Sequence, residues 1–181
     1  MSSIEYKNKP RPVLTAFIGF LVYLLGGLPT LVFALPQDGT VVGGSVDIQQ
    51  VSPQQLDIIQ STDKAIIDWN TFSIALDEST NFLMPSSNSI NLSRVTGGVG
   101  SEIFGTLTSN GILFLVNPSG ILFGESATVD VSGLLATTSD IANEDFMAGQ
   151  FDFHISPPTG AMVINRGQIT IKESGLAAFV A

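Results

Sequence analysis

The sequence predicts an all-β protein whose short strands stack as a parallel coil, a β-helix. From Leu35 onward, no long stretch repeats apolar residues at helical spacing. Short runs of strand-forming residues alternate instead with turn dipeptides such as Asn110-Gly111 and Ser119-Gly120. The run 111–116 is apolar on both faces. A β-sandwich predicts longer strands with one polar face, so the stacked coil fits these residues better.

The first 34 residues have the order of a secretory signal peptide. A basic stretch, 7–11, precedes an apolar run, 13–25, and glycine and proline residues then interrupt the helical pattern. Val32 and Ala34 place a branched and a small residue at the −3 and −1 positions of a cleavage site. We therefore predict cleavage after Ala34.

A membrane anchor is the alternative interpretation of the same apolar segment, which is long enough to span if the glycines and proline are tolerated. The helix breakers lie where a cleavage site needs extended chain, and this favours the signal peptide. The predicted domains are therefore a signal peptide, 1–34, and one β-helical domain, 35–181. With either interpretation the chain leaves the cytoplasm.

The strands are predicted where apolar and β-branched residues lie between turn residues. Helix is predicted only as a turn or two, at Gln54–Ile59 and Ile141–Met147. The predicted strands are Thr40–Val42, Val46–Ile48, Ala65–Trp69, Phe82–Met84, Ile103–Leu107, Ile112–Val116, Ile121–Phe123, Thr128–Val131, Leu134–Ala136, Met162–Ile164, Gln168–Ile171 and Leu176–Val180.

The composition excludes several functions. Without its first 34 residues, the chain has four cations against fifteen carboxylates, a net charge of −11. Such a surface repels phosphate, so we expect no nucleic-acid partner. The chain has no cysteine, which excludes disulfides, thiolate zinc sites and cysteine nucleophiles. We expect no cofactor, no metal and no small-molecule substrate.

A few single residues invite a functional interpretation, and a structural one is preferred for each. Trp69 and Phe72 are expected in the core rather than on a binding platform. Arg94 is expected to pair with Asp68 or Glu102, or to cap the carbonyls of a rung. The lone histidine, His154, has no second histidine or cysteine to form a metal site with it.

A loose group of carboxylates raises the possibility of a secreted β-helical enzyme that degrades polysaccharide. Such an enzyme needs paired carboxylates on one face, and this group also lacks companion Lys or Arg residues. We expect these side chains to be solvated loop charges, and no catalytic residues are predicted. The group consists of Asp130, Asp140, Glu144, Asp145 and Asp152.

An ordered series of short motifs resembles the N-terminal secretion domain of filamentous-haemagglutinin-like exoproteins, the haemagglutination activity domain of two-partner secretion systems. Each motif is weak alone, but their order extends over roughly a hundred residues. The motifs are Leu35-Pro36, Gly43-Gly44, 56–61, 65–74, Asn81-Phe82, Pro85-Ser86, 92–98, 101–124, Gly133-Leu134, 136–138 and 146–149.

Two motifs are the candidate site. Asn117-Pro118-Ser119-Gly120-Ile121 follows an apolar strand and precedes another, so it is at least a type I or type II turn with Pro at its second position. The second motif is Ser93-Arg94-Val95, where the family has Asn-Arg-Val. The family's earlier Asn-Pro pair would fall near Val99-Gly100 and is absent.

The resemblance implies a right-handed parallel β-helix with an N-terminal cap. It also implies an export-targeting function: recognition in the periplasm by the POTRA domains of a partner outer-membrane β-barrel transporter, after export by the general secretion machinery. The exoprotein would then be secreted or lie on the surface of a Gram-negative-type cell, with its β-helix nucleated there. The motif Asn117-Pro118-Ser119-Gly120-Ile121 would form part of the surface that the transporter recognises.

A stand-alone surface adhesin or structural β-helix is the alternative, and the polysaccharide-degrading enzyme is the third candidate. The residues 173–181 end in the middle of a predicted rung. Because an unpaired apolar end is normally capped, we expect the domain to be truncated at its C-terminal end, with the passenger region missing.

Overall fold

The computed structural model describes residues 34–157, 160–172 and 175–181. The predicted signal peptide therefore lies outside the described residues, apart from Ala34. Within the described part of the chain, no helix is both long enough and apolar enough to cross a membrane.

The described residues form fifteen strands and one short helix. In chain order the elements are β1 Thr40–Gly43, β2 Val46–Ser52, β3 Gln55–Gln60, β4 Lys64–Trp69, β5 Ser79–Leu83, β6 Ile90–Val95, β7 Ser101–Ile103, β8 Thr106–Ser109, β9 Ile112–Val116, β10 Ile121–Phe123, β11 Thr128–Val131, β12 Gly133–Thr137, α1 Asn143–Ala148, β13 Val163–Asn165, β14 Gln168–Ile171 and β15 Ala177–Val180.

The strands form three sheets that the chain visits in turn. Two six-stranded sheets have the orders β1-β4-β6-β9-β12-β15 and β14-β11-β8-β5-β3-β2, and a three-stranded sheet has the order β13-β10-β7. Successive strands within each sheet come from successive turns of the coil and are parallel. The predicted all-β parallel β-helix is confirmed.

The N-terminal end differs from the rest of the coil because its strands are antiparallel. β1 pairs antiparallel with β4, and β2 pairs antiparallel with β3. These two strands are the edge strands of the two large sheets, and each pairing has a register irregularity, between Val41 and Gly43 and between Gln50 and Ser52, of the kind that discourages pairing with another chain. This is the expected N-terminal cap.

The core lies inside the coil and is filled by alternate residues of each strand. Trp69 and Phe72 are each 1% exposed, which confirms that both are core residues. Their rings meet edge to face at 5.7 Å, and Phe72 stacks on Phe82 at 6.5 Å. Inward residues of later strands, such as Leu115 and Val129, continue the same cluster.

A second apolar cluster lies on the outer face of the sheet that contains β4, β6 and β9. A segment between β12 and β13, residues 138–157 and here called the insertion segment, covers this face. Its Ile141 and Phe146 bury Leu92 and Val116. This explains why the run 111–116 is apolar on both faces: inward residues meet the core, and outward residues meet the insertion segment.

Three predictions of secondary structure need comment. The helix predicted at Gln54–Ile59 is wrong, because β3 occupies Gln55–Gln60 and buries every second residue. The strand predicted at Ile103–Leu107 is divided by a corner at Phe104 and Gly105, between β7 and β8. The helix predicted at Ile141–Met147 is confirmed as α1.

Candidate functional site

The first motif forms a tight turn between β9 and β10. The Gly120 amide donates to the Asn117 carbonyl at 3.0 Å. The Asn117 Oδ1 atom accepts from the Ser119 amide at 2.9 Å. Among the described non-glycine residues only Asp38 has a positive φ, so Ser119 does not have the left-handed conformation of a type II turn. The turn is therefore type I, one of the two predicted types.

The Asn117 side chain fastens this turn to the equivalent turn of the preceding rung. It is 1% exposed. Its Nδ2 group donates to the Val99 carbonyl and to the Ser101 hydroxyl, each at 2.9 Å. Asn117 therefore has a structural role, and its side chain offers no surface to a partner.

The other residues of the motif divide between the core and the surface. Ile121 is 2% exposed and belongs to the core. Pro118 and Gly120 are half-buried, and Ser119 is exposed. The accessible part of the motif is thus the Pro118-Ser119 tip, which Asn117 holds in place from below.

The second motif lies on β6, where alternation sends its residues to opposite faces. Ser93 and Val95 point inward, and Val95 joins the main core. Arg94 points outward, beneath the insertion segment. The three residues therefore do not form one surface.

Ser93 belongs to a chain of buried polar groups that the sequence analysis missed. The Trp69 Nε1 group donates to the Ser93 hydroxyl at 3.2 Å. Ser93 donates to Asn91 Oδ1 at 2.9 Å, and Asn91 Nδ2 donates to Gln60 Oε1 at 3.0 Å. Two polar residues at alternate positions of a strand, Asn91 and Ser93, were the available signal.

Ser93→Ala is expected to lower the free energy of unfolding by about 1–3 kcal/mol, because Trp69 Nε1 loses its acceptor and Asn91 Oδ1 loses its donor in the dry core. Urea unfolding followed by tryptophan fluorescence measures the change. Ser119→Ala is the matched control, since that hydroxyl is exposed, and it should change stability by less than about 0.5 kcal/mol. Equal stability of the two variants would contradict the prediction.

Arg94 clamps the insertion segment to the coil. Its Nε group lies 2.8 Å from Asp140 Oδ1, and its Nη1 group lies 3.0 Å from Asp68 Oδ1. Nη1 also donates to Asn143 Oδ1 at 2.9 Å, and Nη2 donates to the Ile141 carbonyl at 2.7 Å. The predicted pairing with Asp68 is confirmed. The alternative partner, Glu102, is not used, and the carbonyl that Arg94 binds, that of Ile141, belongs to the insertion segment and not to a rung of the coil.

The prediction that the loop carboxylates are solvated and lack a basic companion is wrong for Asp140. Asp140 pairs with Arg94, because the insertion segment folds back over β6. Glu144 and Asp152 are exposed, Asp145 is half-buried, and Asp130 is exposed on β11. Within the described residues, no group of three or more His, Asp or Glu side chains converges to hold a metal ion. His154 is exposed, with its Nδ1 atom 3.0 Å from the Asp152 carbonyl.

The predicted cleavage position lies against the turn that precedes β5. The Ala34 amide donates to Glu78 Oε1 at 2.8 Å. The next residue, Leu35, is 2% exposed and packs in the main core. The sequence analysis did not identify Glu78, which is itself only 4% exposed.

The fold and these sites define a capped parallel β-helix in which the turn between β9 and β10 is anchored to the preceding rung. A model of one family, described as the TPS secretion domain, matches residues 33–181. The chain therefore belongs to the TPS secretion domain family, the export-targeting domains of two-partner secreted exoproteins. Its members are secreted by Gram-negative bacteria, and two-partner secretion pairs each exoprotein with an outer-membrane transporter.

Individual relatives agree with this assignment. The chain is similar to a Haemophilus influenzae heme/hemopexin-binding protein, with 36% identity over 118 residues, or 65% of this chain and 13% of the relative. The homologue from strain Rd is 39% identical over 107 residues, or 59% of this chain and 12% of the relative. The chain thus spans about an eighth of the length of these relatives.

A solved structure supports the fold independently. The crystal structure of the HMW1 secretion domain from Haemophilus influenzae is similar to this chain with a TM-score of 0.70 and 38% sequence identity. The likeness covers 75% of this chain and 36% of that one. The family is a secretion-domain family rather than an enzyme family.

Proposed function

We propose that residues 35–181 are recognised in the periplasm by the POTRA domains of a partner outer-membrane β-barrel transporter. In this proposal, the general secretion machinery exports the chain across the inner membrane, and the signal peptide 1–34 is removed after Ala34. The exoprotein is then secreted or remains on the cell surface. The domain performs no catalysis of its own.

One observation carries the recognition step: the Asn117 turn combines a buried anchor with an exposed tip. The anchor makes three hydrogen bonds, to Val99, Ser101 and Ser119. A tip fixed in this way loses little conformational freedom when a partner binds it. We propose Pro118 and Ser119 as the contact with the transporter, and Asn117 as the residue that positions them.

The cap supports the second part of the function, nucleation of the β-helix. β1 and β2 cover the N-terminal side of the two large sheets, and rungs that follow in the chain add at the opposite edges, next to β15 and β14. Each new rung then buries its apolar side chains against the rung before it. Folding at the cell surface would thus proceed in one direction, away from the cap.

The test is a secretion assay with the full chain fused to a reporter, in a Gram-negative host with and without a candidate partner transporter. We expect reporter in the medium only when the transporter is present. Ser119→Arg should reduce secretion about tenfold or more, because a charge is forced into the contact, while stability in urea is unchanged. Asn117→Ala should reduce both secretion and stability, since it leaves the Val99 carbonyl and Ser101 hydroxyl without their donor.

The matched control is Ser87→Arg, which places the same charge on another exposed turn. This variant should be secreted like the wild type. Normal secretion of the Ser119→Arg variant would refute the proposed contact. Reporter that stays in the periplasm with every candidate transporter, although the fusion is folded, would refute the export function itself.

A further inference from the structure

Glu78 is a buried carboxylate that has hydrogen-bond donors but no cation. It is 4% exposed. Its Oε2 atom accepts from the Ala75 amide, and its Oε1 atom accepts from the Ala34 amide, each at 2.8 Å. Within the described residues, the ion pairs closer than 4.0 Å all involve Arg94. Buried carboxylates are normally paired with a positive charge, and among the described residues the Glu78 carboxylate has no such partner.

The backbone beside Glu78 is held firmly from Leu35 onward. Leu35 is 2% exposed, and its carbonyl accepts from Gln37 Nε2 at 2.6 Å. The Gln37 amide donates to the Thr71 carbonyl at 2.9 Å. In extended chain the nitrogen of Leu35 lies only about 3.5 Å beyond that of Ala34. A small movement of the Glu78 side chain therefore brings its carboxylate to the nitrogen of Leu35.

We infer that Glu78 binds the α-ammonium group that removal of the signal peptide creates at Leu35. The inference rests on the proposed cleavage after Ala34. Hydrolysis of the Ala34–Leu35 bond adds one water, leaving a carboxylate on Ala34 and an ammonium on Leu35. The neutral Ala34 amide departs with the signal peptide, and a charged group with three N–H donors takes its place beside the carboxylate.

This exchange couples processing to folding of the cap. Because Leu35 packs in the core, a peptidase cannot reach the junction once this end of the cap is folded. Cleavage therefore comes first, and the new ammonium then completes the buried charge pair. A charge-assisted hydrogen bond is stronger than the neutral one it replaces. The processed chain thus has the more stable cap, and an uncleaved chain keeps an uncompensated carboxylate.

The test uses the full chain, expressed with its signal peptide in a Gram-negative host and purified from the periplasm after processing. Intact mass should show a chain that begins at Leu35. An amine-acetylating reagent is then applied near neutral pH. The α-amine of the wild type should react roughly tenfold or more slowly than that of Glu78→Gln, while Lys64 and Lys172 react equally in both proteins.

Glu125→Gln is the matched control, since Glu125 is exposed, and it should leave the α-amine protected. Glu78→Asp keeps the charge and should give intermediate protection, which also covers the case in which Glu78→Gln fails to fold. The inference is overturned if the α-amine of the processed wild type reacts as fast as that of Glu78→Gln. If Glu78→Gln does not fold, Glu78→Asp takes its place in this comparison. Either result leaves the proposed cleavage standing. A mass that still includes the signal peptide contradicts the proposed cleavage, and this inference with it.

Discussion

Replacing Arg94 with methionine is expected to lower the free energy of unfolding by about 3 kcal/mol or more. The guanidinium bridges Asp68 of β4 and Asp140 of the insertion segment, and the Arg94 side chain is 10% exposed. Removing one member of a buried charge group typically costs about 3–5 kcal/mol, and the lower end applies here because the Asp68 and Asp140 side chains are 29% and 20% exposed. Urea unfolding followed by circular dichroism measures the loss.

The same variant should also loosen the insertion segment before the rest of the domain unfolds. Arg94 supplies hydrogen bonds to Asp140, Ile141 and Asn143 of that segment. Without them, local opening becomes easier than global unfolding, so limited proteolysis should cut within 138–157 first. Arg166→Met is the matched control, because Arg166 is exposed and should change neither result. An unchanged unfolding midpoint for the Arg94 variant would show that apolar packing alone holds the segment.

The sequence predicted most of the coil because its strands follow simple rules. Residues 112–116 and 128–131 combine β-branched or apolar residues with flanking turn residues, and both are strands. β6 was missed because Asn91, Ser93 and Arg94 interrupt the apolar pattern. Those polar residues are tolerated only because partners elsewhere in the fold satisfy them. Sequence position alone does not reveal such partners.

β3 shows how tertiary pairing overrides local preference. Leu56 and Ile59 are spaced as on one face of a helix, but the helix predicted at 54–59 does not form. The strand forms because β2 and β5 pair with it on both sides and bury Leu56 and Ile58 in the coil. The sequence of a short segment does not by itself determine whether the segment forms a strand or a helix.

The candidate site was predictable only in part, for a similar reason. The Asn117 turn is local, so proline and glycine at fixed positions predict it directly. The contact between Arg94 and Asp140 joins residues that are 46 positions apart, through a segment whose path no local pattern predicts. The approach of Ala34 to Glu78 is also long-range, with 44 positions between them.

Gly105→Ala is expected to destabilise the coil strongly, costing about 3 kcal/mol or more. A methyl group on Gly105 would overlap the carbonyl oxygens of Ala75 and Glu78 and lie 2.8 Å from the Ile74 side chain. These carbonyls cannot move freely, because the Glu78 carbonyl accepts from Thr106 and the Ala75 carbonyl accepts from the Glu78 amide. Thermal unfolding of the variant measures the cost.

Gly100→Ala provides the control, because a methyl group there meets nothing closer than 3.6 Å, an ordinary van der Waals distance. It should change the free energy of unfolding by less than about 0.5 kcal/mol. Similar stability of the two variants would mean that the corner after β7 has room to shift. The Ala75–Glu78 turn, which carries the Glu78 carboxylate, would then be less rigid than the binding of a chain terminus requires. Gly105 thus affects the position of Glu78 as well as the corner of the coil, because its backbone lies against the carbonyls of Ala75 and Glu78.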